Sequence, residues 1–194
     1  MLENFTYKII LGSASPRRQE LLKTLNLSFE VCPINANEEF PEKLKREEIP
    51  LFLAEKKSNA FQQSLKDNEL LITSDTIVWH DGHVLNKPLS YFEALSMLSE
   101  LSGNFHEVFT GVCLRTNKFK EIFSDSTKVY FRKLEEEEIE YYVKKYNVYD
   151  KAGGYGAQDW IGNVAIERIE GSYFNVMGLP VHKLYSALKR INSL

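Results

Sequence analysis

The sequence is short of cysteine, of excess positive charge and of long apolar runs, and each shortage removes a class of protein. Cys32 and Cys113 are the only cysteines, far apart and outside any CxxC spacing. That pattern argues against a disulfide framework or a thiolate metal site and reads as two reduced thiols in a reducing compartment. No stretch approaches the roughly 20 consecutive apolar residues that span a bilayer. The opening MLENFTYKIILGS has no basic segment before its short apolar stretch, so it does not read as a signal peptide. The expected location is the cytoplasm.

Lysine and arginine total 24 against 27 aspartates and glutamates, a formal net charge of −3. That balance excludes a generally basic nucleic-acid binder but permits a local cationic pocket around a polyanion. His80, His83, His106 and His182 show no metal-ligand spacing. Neither a GxxxxGK[ST] phosphate loop nor a GxSxG nucleophile elbow is present. No linker rich in Pro, Gly or Ser divides the chain, so a single domain over residues 1–194 is expected.

What is present suffices for a packed core: 194 residues, 43% hydrophobic and 26% charged. Short apolar runs at Tyr7–Leu11, Phe29–Cys32, Leu70–Trp79, Glu107–Arg115, Glu121–Phe131 and Asn163–Ile169 predict strands. Helices are predicted over Pro16–Leu25, Glu47–Leu65, Ser90–Leu101 and Val181–Ile191. The first is entered through Ser15 as cap and Pro16 at its first position. The glutamates 135–138 precede Ile139, Tyr142, Val143 and Tyr146 at helical spacing, which makes them the first turn of an amphipathic helix. Asp81-Gly82 between apolar runs signals a hairpin, because both positions of such a turn need positive φ. Interleaved helices and strands with hairpins indicate an α/β fold with a mixed sheet.

Several segments could carry chemistry. Gly12-Ser13-Ala14-Ser15-Pro16-Arg17-Arg18 joins a strand to a helix, offering free N–H groups, hydroxyls and two guanidiniums to an anion. It reads equally as a capped helix with surface arginines. Asp75, in Thr73-Ser74-Asp75-Thr76, interrupts an apolar strand, and a carboxylate there needs a cation, a metal or a catalytic task, or else serves as a cap. Lys56-Lys57 on a helix, and Lys87 in Asn86-Lys87-Pro88, each read on their own as solvated lysines. Gly153-Gly154-Tyr155-Gly156-Ala157-Gln158 is a backbone-exposing loop, and Gln158 there could hydrogen-bond a base edge, or the loop could be a simple turn.

Together these segments resemble the Maf family of nucleoside triphosphate pyrophosphatases, also described as septum-formation inhibitors. SASPRRQELL, SDTIV, LNKP, FTGV, YDKAGGYGAQ and IEGSYFNVMGLP occur in that order over nearly the whole chain. The resemblance implies a mixed twisted sheet with flanking helices and a deep central cleft. It implies hydrolysis of a triphosphate between its α and β phosphates with Mg²⁺ or Mn²⁺. Carried over by motif, Asp75 is the proton acceptor, and Ser13, Arg17, Arg18, Lys57 and Lys87 bind substrate. Glu38, or its neighbour Glu39, matches an acidic metal-site position together with Asp75, although Asn37 stands where Asp is commoner. Arg17, Thr76 and Gln158 resemble the dTTP/UTP subgroup, with modified pyrimidine nucleotides as further candidates. A homodimer is the default, with no nucleic-acid or membrane partner. The competing readings are a nucleotide-binding regulator of septum formation and the same hydrolase with another base preference.

Overall fold

The computed structural model describes Leu2 and residues 5–192. The strands of the sheet are ordered β2-β1-β3-β5-β6-β7, with β4 pairing β3. They are β1 (Lys8–Leu11), β2 (Phe29–Val31), β3 (Glu69–His80), β4 (His83–Leu85), β5 (Phe105–Arg115), β6 (Lys120–Phe131) and β7 (Ile166–Glu170). β1 runs parallel to β2 and β3, whereas β4 and β7 are antiparallel to their neighbours, so the sheet is mixed as the sequence predicts. The chain divides into two compact units, Met1–Asp75 with Thr110–Asp125 and Gly178–Leu194, and Thr76–Phe109 with Ser126–Met177.

In the first unit β1 buries Ile9, Ile10 and Leu11 and leaves Lys8 exposed. Helix α1 (Pro16–Lys23) starts where the sequence places it. Ser15 is its N-cap and accepts from Arg18 N, and Pro16 needs no partner at the first position. Helix α2 (Glu48–Asn59) is shorter than the predicted span to Leu65. Its continuing apolar period misleads, because Phe61 and Leu65 pack from beyond the helix end against Ile10 and Leu71. Gly111 fixes how closely α2 lies on β5: a Cβ there would stand 2.2 Å from Pro50 O. The last helix of the chain, Val181–Ile191, also belongs to this unit and buries Leu184, Ala187, Leu188 and Ile191 at helical spacing.

The second unit holds the larger apolar cluster. Helix α3 (Tyr91–Leu101) is capped by Ser90 and contributes Ala94, Met97, Leu98 and Leu101. Helix α4 (Glu136–Lys145) opens with a reciprocal capping box between Glu135 and Glu138, so the acidic run satisfies the orphan N–H groups of the first turn. Arg132 grips Glu138 at 2.7 and 3.0 Å. The Asp81-Gly82 hairpin has φ of 41° and 85° and pairs Val78 with Leu85. The predicted strand from Asn163 is wrong in its first half. Helix α5 (Trp160–Ala165) occupies that span and β7 begins only at Ile166. Ile161 and Ala165, four apart, are both fully buried, so a helical period wins over the strand-like composition. A short helix α6 (Tyr173–Val176) follows, and the closing helix Val181–Ile191 is α7.

Candidate active site

The first unit holds six of the residues singled out from the sequence, Ser13, Arg17, Arg18, Glu38, Lys57 and Asp75; hydrogen bonds and ion pairs join Arg18 to Ser13 and Lys57 to Glu38 and Asp75. The gathering starts from backbone register. Alternate residues of a strand share a face, and residues three apart on a helix are neighbours. Thr73 and Asp75 therefore face α2 together, and Ala54 and Lys57 face β3 together. Thr73 Oγ1 donates to Ala54 O at 2.7 Å. One step further along both elements, Lys57 donates to Asp75 Oδ1.

This corrects the reading of Lys56-Lys57 as a solvated pair. The Lys57 side chain retains 11% exposure and that of Asp75 10%. Lys57 Nζ also meets Glu38 Oε1 at 2.9 Å, so one ammonium holds two carboxylates. Of the neighbouring glutamates it is thus Glu38 whose carboxylate reaches Lys57, although its side chain stays half exposed, while Glu39 offers its main-chain carbonyl to Lys56 at 2.8 Å. Asn37 assists, since its Oδ1 accepts from Glu39 N at 2.7 Å and closes a tight turn around Glu38. An amide oxygen serves that turn as well as a carboxylate would.

The loop between β1 and α1 is held from the other side by Arg18. Its Nε donates to Gly178 O at 2.9 Å, and its Nη1 donates to Ser74 O at 3.0 Å and Ser13 Oγ at 3.4 Å. Arg18 is therefore a tie between α1, the residue before Asp75, and the turn before α7. Ser13 Oγ additionally accepts from Ser15 N at 3.3 Å. Gly12 is needed at the strand exit, because a Cβ would lie 2.7 Å from both Ile34 and Thr73 side chains. Burial draws the Arg18 guanidinium below its ordinary value, opposed by the negative charge of Asp75. An arginine remains protonated under such a shift.

Thr76, Lys87 and Gln158 belong to the second unit. Thr76 is half-buried on β3, and Lys87 is exposed after β4. Gln158 is exposed in a turn whose preceding residues 153–157 are all buried. Sequence reasoning gave no role of its own to Thr73, whose hydroxyl bonds Ala54 O one step along both elements from the ion pair. The signal was there, in a polar residue two positions before Asp75 on an apolar strand.

Among the described residues no cluster of three or more His, Cys, Asp or Glu could hold a metal by itself. Glu38 and Asp75 both pair with Lys57, and their hard oxygens fit Mg²⁺ or Mn²⁺ bound through few protein ligands and completed by phosphate oxygens and water. No helix among the described residues is long and apolar enough to cross a membrane.

A family model described as Maf-like protein matches residues 8–191. A Bacteroides fragilis protein named dTTP/UTP pyrophosphatase is 51% identical over 193 residues, covering 98% of this chain and 100% of its own length. A Phocaeicola vulgatus protein of the same name is likewise 51% identical, with the same coverage. One from Flavobacterium johnsoniae, again of that name, is 50% identical over 182 residues, 94% of each chain. Among solved structures, the Staphylococcus aureus Ham1 protein overlays with a TM-score of 0.42 at 12% identity, covering 64% of this chain and 71% of that one, a likeness too slight to carry an argument.

Proposed function

The chain belongs to the Maf family, and from that premise we propose that it is a nucleoside triphosphate pyrophosphatase acting on dTTP and UTP, releasing the monophosphate and pyrophosphate. The observation that carries the chemistry is the Lys57 bridge between Glu38 and Asp75, next to a loop braced by Arg18. A buried carboxylate and a half-exposed one held by one lysine are a poor way to gain stability and a good way to keep acceptor oxygens fixed in place.

Asp75 accepts the proton of the attacking water. Lys57 orients that carboxylate and places positive charge where the departing phosphates develop negative charge. Ser13 and Arg17 bind phosphate oxygens at the start of α1, where free N–H groups add to the attraction. Arg18 keeps that loop and the Asp75 main chain in fixed relation through Ser74. Glu38 and Asp75 would hold Mg²⁺ or Mn²⁺. When bound, such an ion offsets charge on the phosphates and stabilises the pyrophosphate leaving group. Lys87 is assigned a phosphate contact, and Thr76 and Gln158, with Arg17, base preference. A glutamine amide offers one donor and one acceptor, which suits the carbonyl–NH–carbonyl edge of uracil or thymine.

The two free cysteines support a reducing, cytoplasmic setting, and a homodimer that contacts neither nucleic acid nor membrane completes the proposal. The test is a panel of standard and modified triphosphates with purified protein and Mg²⁺, following pyrophosphate release. Turnover of roughly 1 s⁻¹ or faster on dTTP and UTP supports the proposal. Tight binding without product overturns it in favour of a nucleotide-responsive regulator, and a preference for another base overturns the substrate assignment alone.

A further inference from the structure

Gln158 is held by a device that its own side chain does not reveal. Asp159 N donates to Gly156 O at 3.0 Å, closing a four-residue turn with Ala157 and Gln158 at its centre. Both outer residues of that turn end on one atom. The Tyr142 hydroxyl accepts from Gly156 N at 3.1 Å and donates to Asp159 Oδ2 at 2.7 Å. Tyr142 lies on α4 with no exposed surface, and its ring stacks on Tyr146 at 4.9 Å between centroids. Its hydroxyl is pushed well above the ordinary tyrosine value, first by burial and then by the Asp159 carboxylate, so it stays a donor throughout the working range.

The surroundings leave the turn no slack. Lys151 Nζ approaches the same Asp159 Oδ2 at 3.5 Å, with its own side chain only 9% exposed. A Cβ on Gly156 would lie 2.7 Å from Asp159 Oδ2 and 2.9 Å from Lys151 Cε. A Cβ on Gly162 would lie 2.0 Å from Ala157 O, so α5 packs directly on the turn. Residues 153–157 are buried, and Gln158 alone among 153–158 is exposed. A short amide on a mobile turn could rotate and serve several bases. Fixing the backbone on both sides of it fixes where the side chain starts and so limits the positions its amide can reach.

We propose that Tyr142 is a positioning residue for base selection: its hydroxyl, with Asp159 and Lys151, locks the Gly156–Asp159 turn and so fixes the direction in which Gln158 presents its amide. This rests on the reading of Gln158 as the base contact. Tyr142 touches no reacting atom, so its loss acts on discrimination and on KM more than on kcat.

The experiment compares kcat and KM for UTP and CTP in Tyr142→Phe, Asp159→Asn, Asp159→Ala and Gln158→Glu, each checked for cooperative melting. Tyr142→Phe is expected to lower the UTP/CTP ratio of kcat/KM by about fivefold or more, chiefly through KM, since one buried hydrogen-bond relay is lost. Asp159→Asn keeps an oxygen acceptor for Tyr142 and should retain more of the ratio than Asp159→Ala. If Gln158→Glu shifts the ratio while folded Tyr142→Phe and Asp159→Ala leave it unchanged, the positioning role is overturned and base reading stands. If Gln158→Glu leaves the ratio unchanged, base reading falls and the Tyr142 assignment falls with it. Should Tyr142→Phe not fold, the two Asp159 variants decide by the same criterion.

Discussion

Lys57 and Asp75 form an ion pair in which the two side chains keep 11% and 10% of their surface. Their meeting is a matter of register: it follows one step along β3 and α2 from the Thr73–Ala54 hydrogen bond. Two charges withdrawn from water in this way bring little net stability, because desolvation offsets most of the attraction. What they do bring is a carboxylate whose position is fixed before any ligand arrives.

Removing one partner should therefore cost far more than removing both. Lys57→Ala leaves Asp75 buried without its ion-pair partner, and a loss of about 3–5 kcal/mol in urea unfolding is expected. Lys57→Met combined with Asp75→Leu should recover much of that loss and still release no pyrophosphate. A double variant as unstable as Lys57→Ala alone would contradict this account of the pair.

Asp75→Asn keeps the size of the side chain and removes its basicity. Pyrophosphate release should drop by on the order of 10²-fold or more, while dTTP binding, measured by calorimetry, survives. Lys57 retains Glu38 as its counter-charge, so the fold should persist. Near-native turnover in this variant would mean that another group takes the proton.

Chelation tests the carboxylates from the other side. EDTA should abolish turnover, and Mg²⁺ or Mn²⁺ should restore it, because a donor set of carboxylate and phosphate oxygens favours hard cations. Glu38→Gln removes one ligand charge and should raise the Mg²⁺ concentration needed for half-maximal rate severalfold. An unchanged metal requirement in Glu38→Gln would remove Glu38 from that role.

Much of this was legible in the chain where a local rule applies. Ser15-Pro16 marks the start of α1, Asp81-Gly82 the hairpin, and the glutamates before Ile139 the start of α4. Local rules fail where distant residues decide. Lys57 reads as solvated until β3 brings Asp75 to it, and Arg18 reads as a surface arginine until Gly178, 160 residues on, offers its carbonyl. The strand predicted from Asn163 starts three residues late, because burial of Ile161 with Ala165 makes residues 160–165 a helix. Motif order could point to the chemistry of Asp75, whereas its partner depended on tertiary register.

Thr73→Val probes that register directly. Valine matches the shape but cannot donate to Ala54 O, so about 1 kcal/mol of stability should go. The larger effect should fall on catalysis: with α2 no longer pinned, the Lys57–Asp75 geometry loosens and kcat should fall severalfold. Thr73→Ser, which keeps the hydroxyl, should restore most of the rate. Equal rates for Thr73→Val and Thr73→Ser would show that the hydroxyl does not set the pair.

The second unit carries a pH dependence of its own in His106, which is 1% exposed and packs edge-on against Phe131 and Tyr155. Its Nε2 lies 2.6 Å from the Tyr155 hydroxyl, and its Nδ1 has no hydrogen-bond partner among the described residues. Burial, with a smaller push from His80, holds its pKa down to about 3, against 6.5 for an exposed histidine. The unfolded chain therefore binds a proton between pH 6.5 and 3 that the folded protein refuses. The stabilisation from the neutral ring is fully present above pH 6.5 and is lost as pH falls through that window, with a slope of up to about 1.4 kcal/mol per pH unit. His106→Phe removes the titrating ring and should flatten the curve of unfolding free energy over this range, even if the unpaired Tyr155 hydroxyl lowers its level. An undiminished slope in His106→Phe would place the acid sensitivity elsewhere.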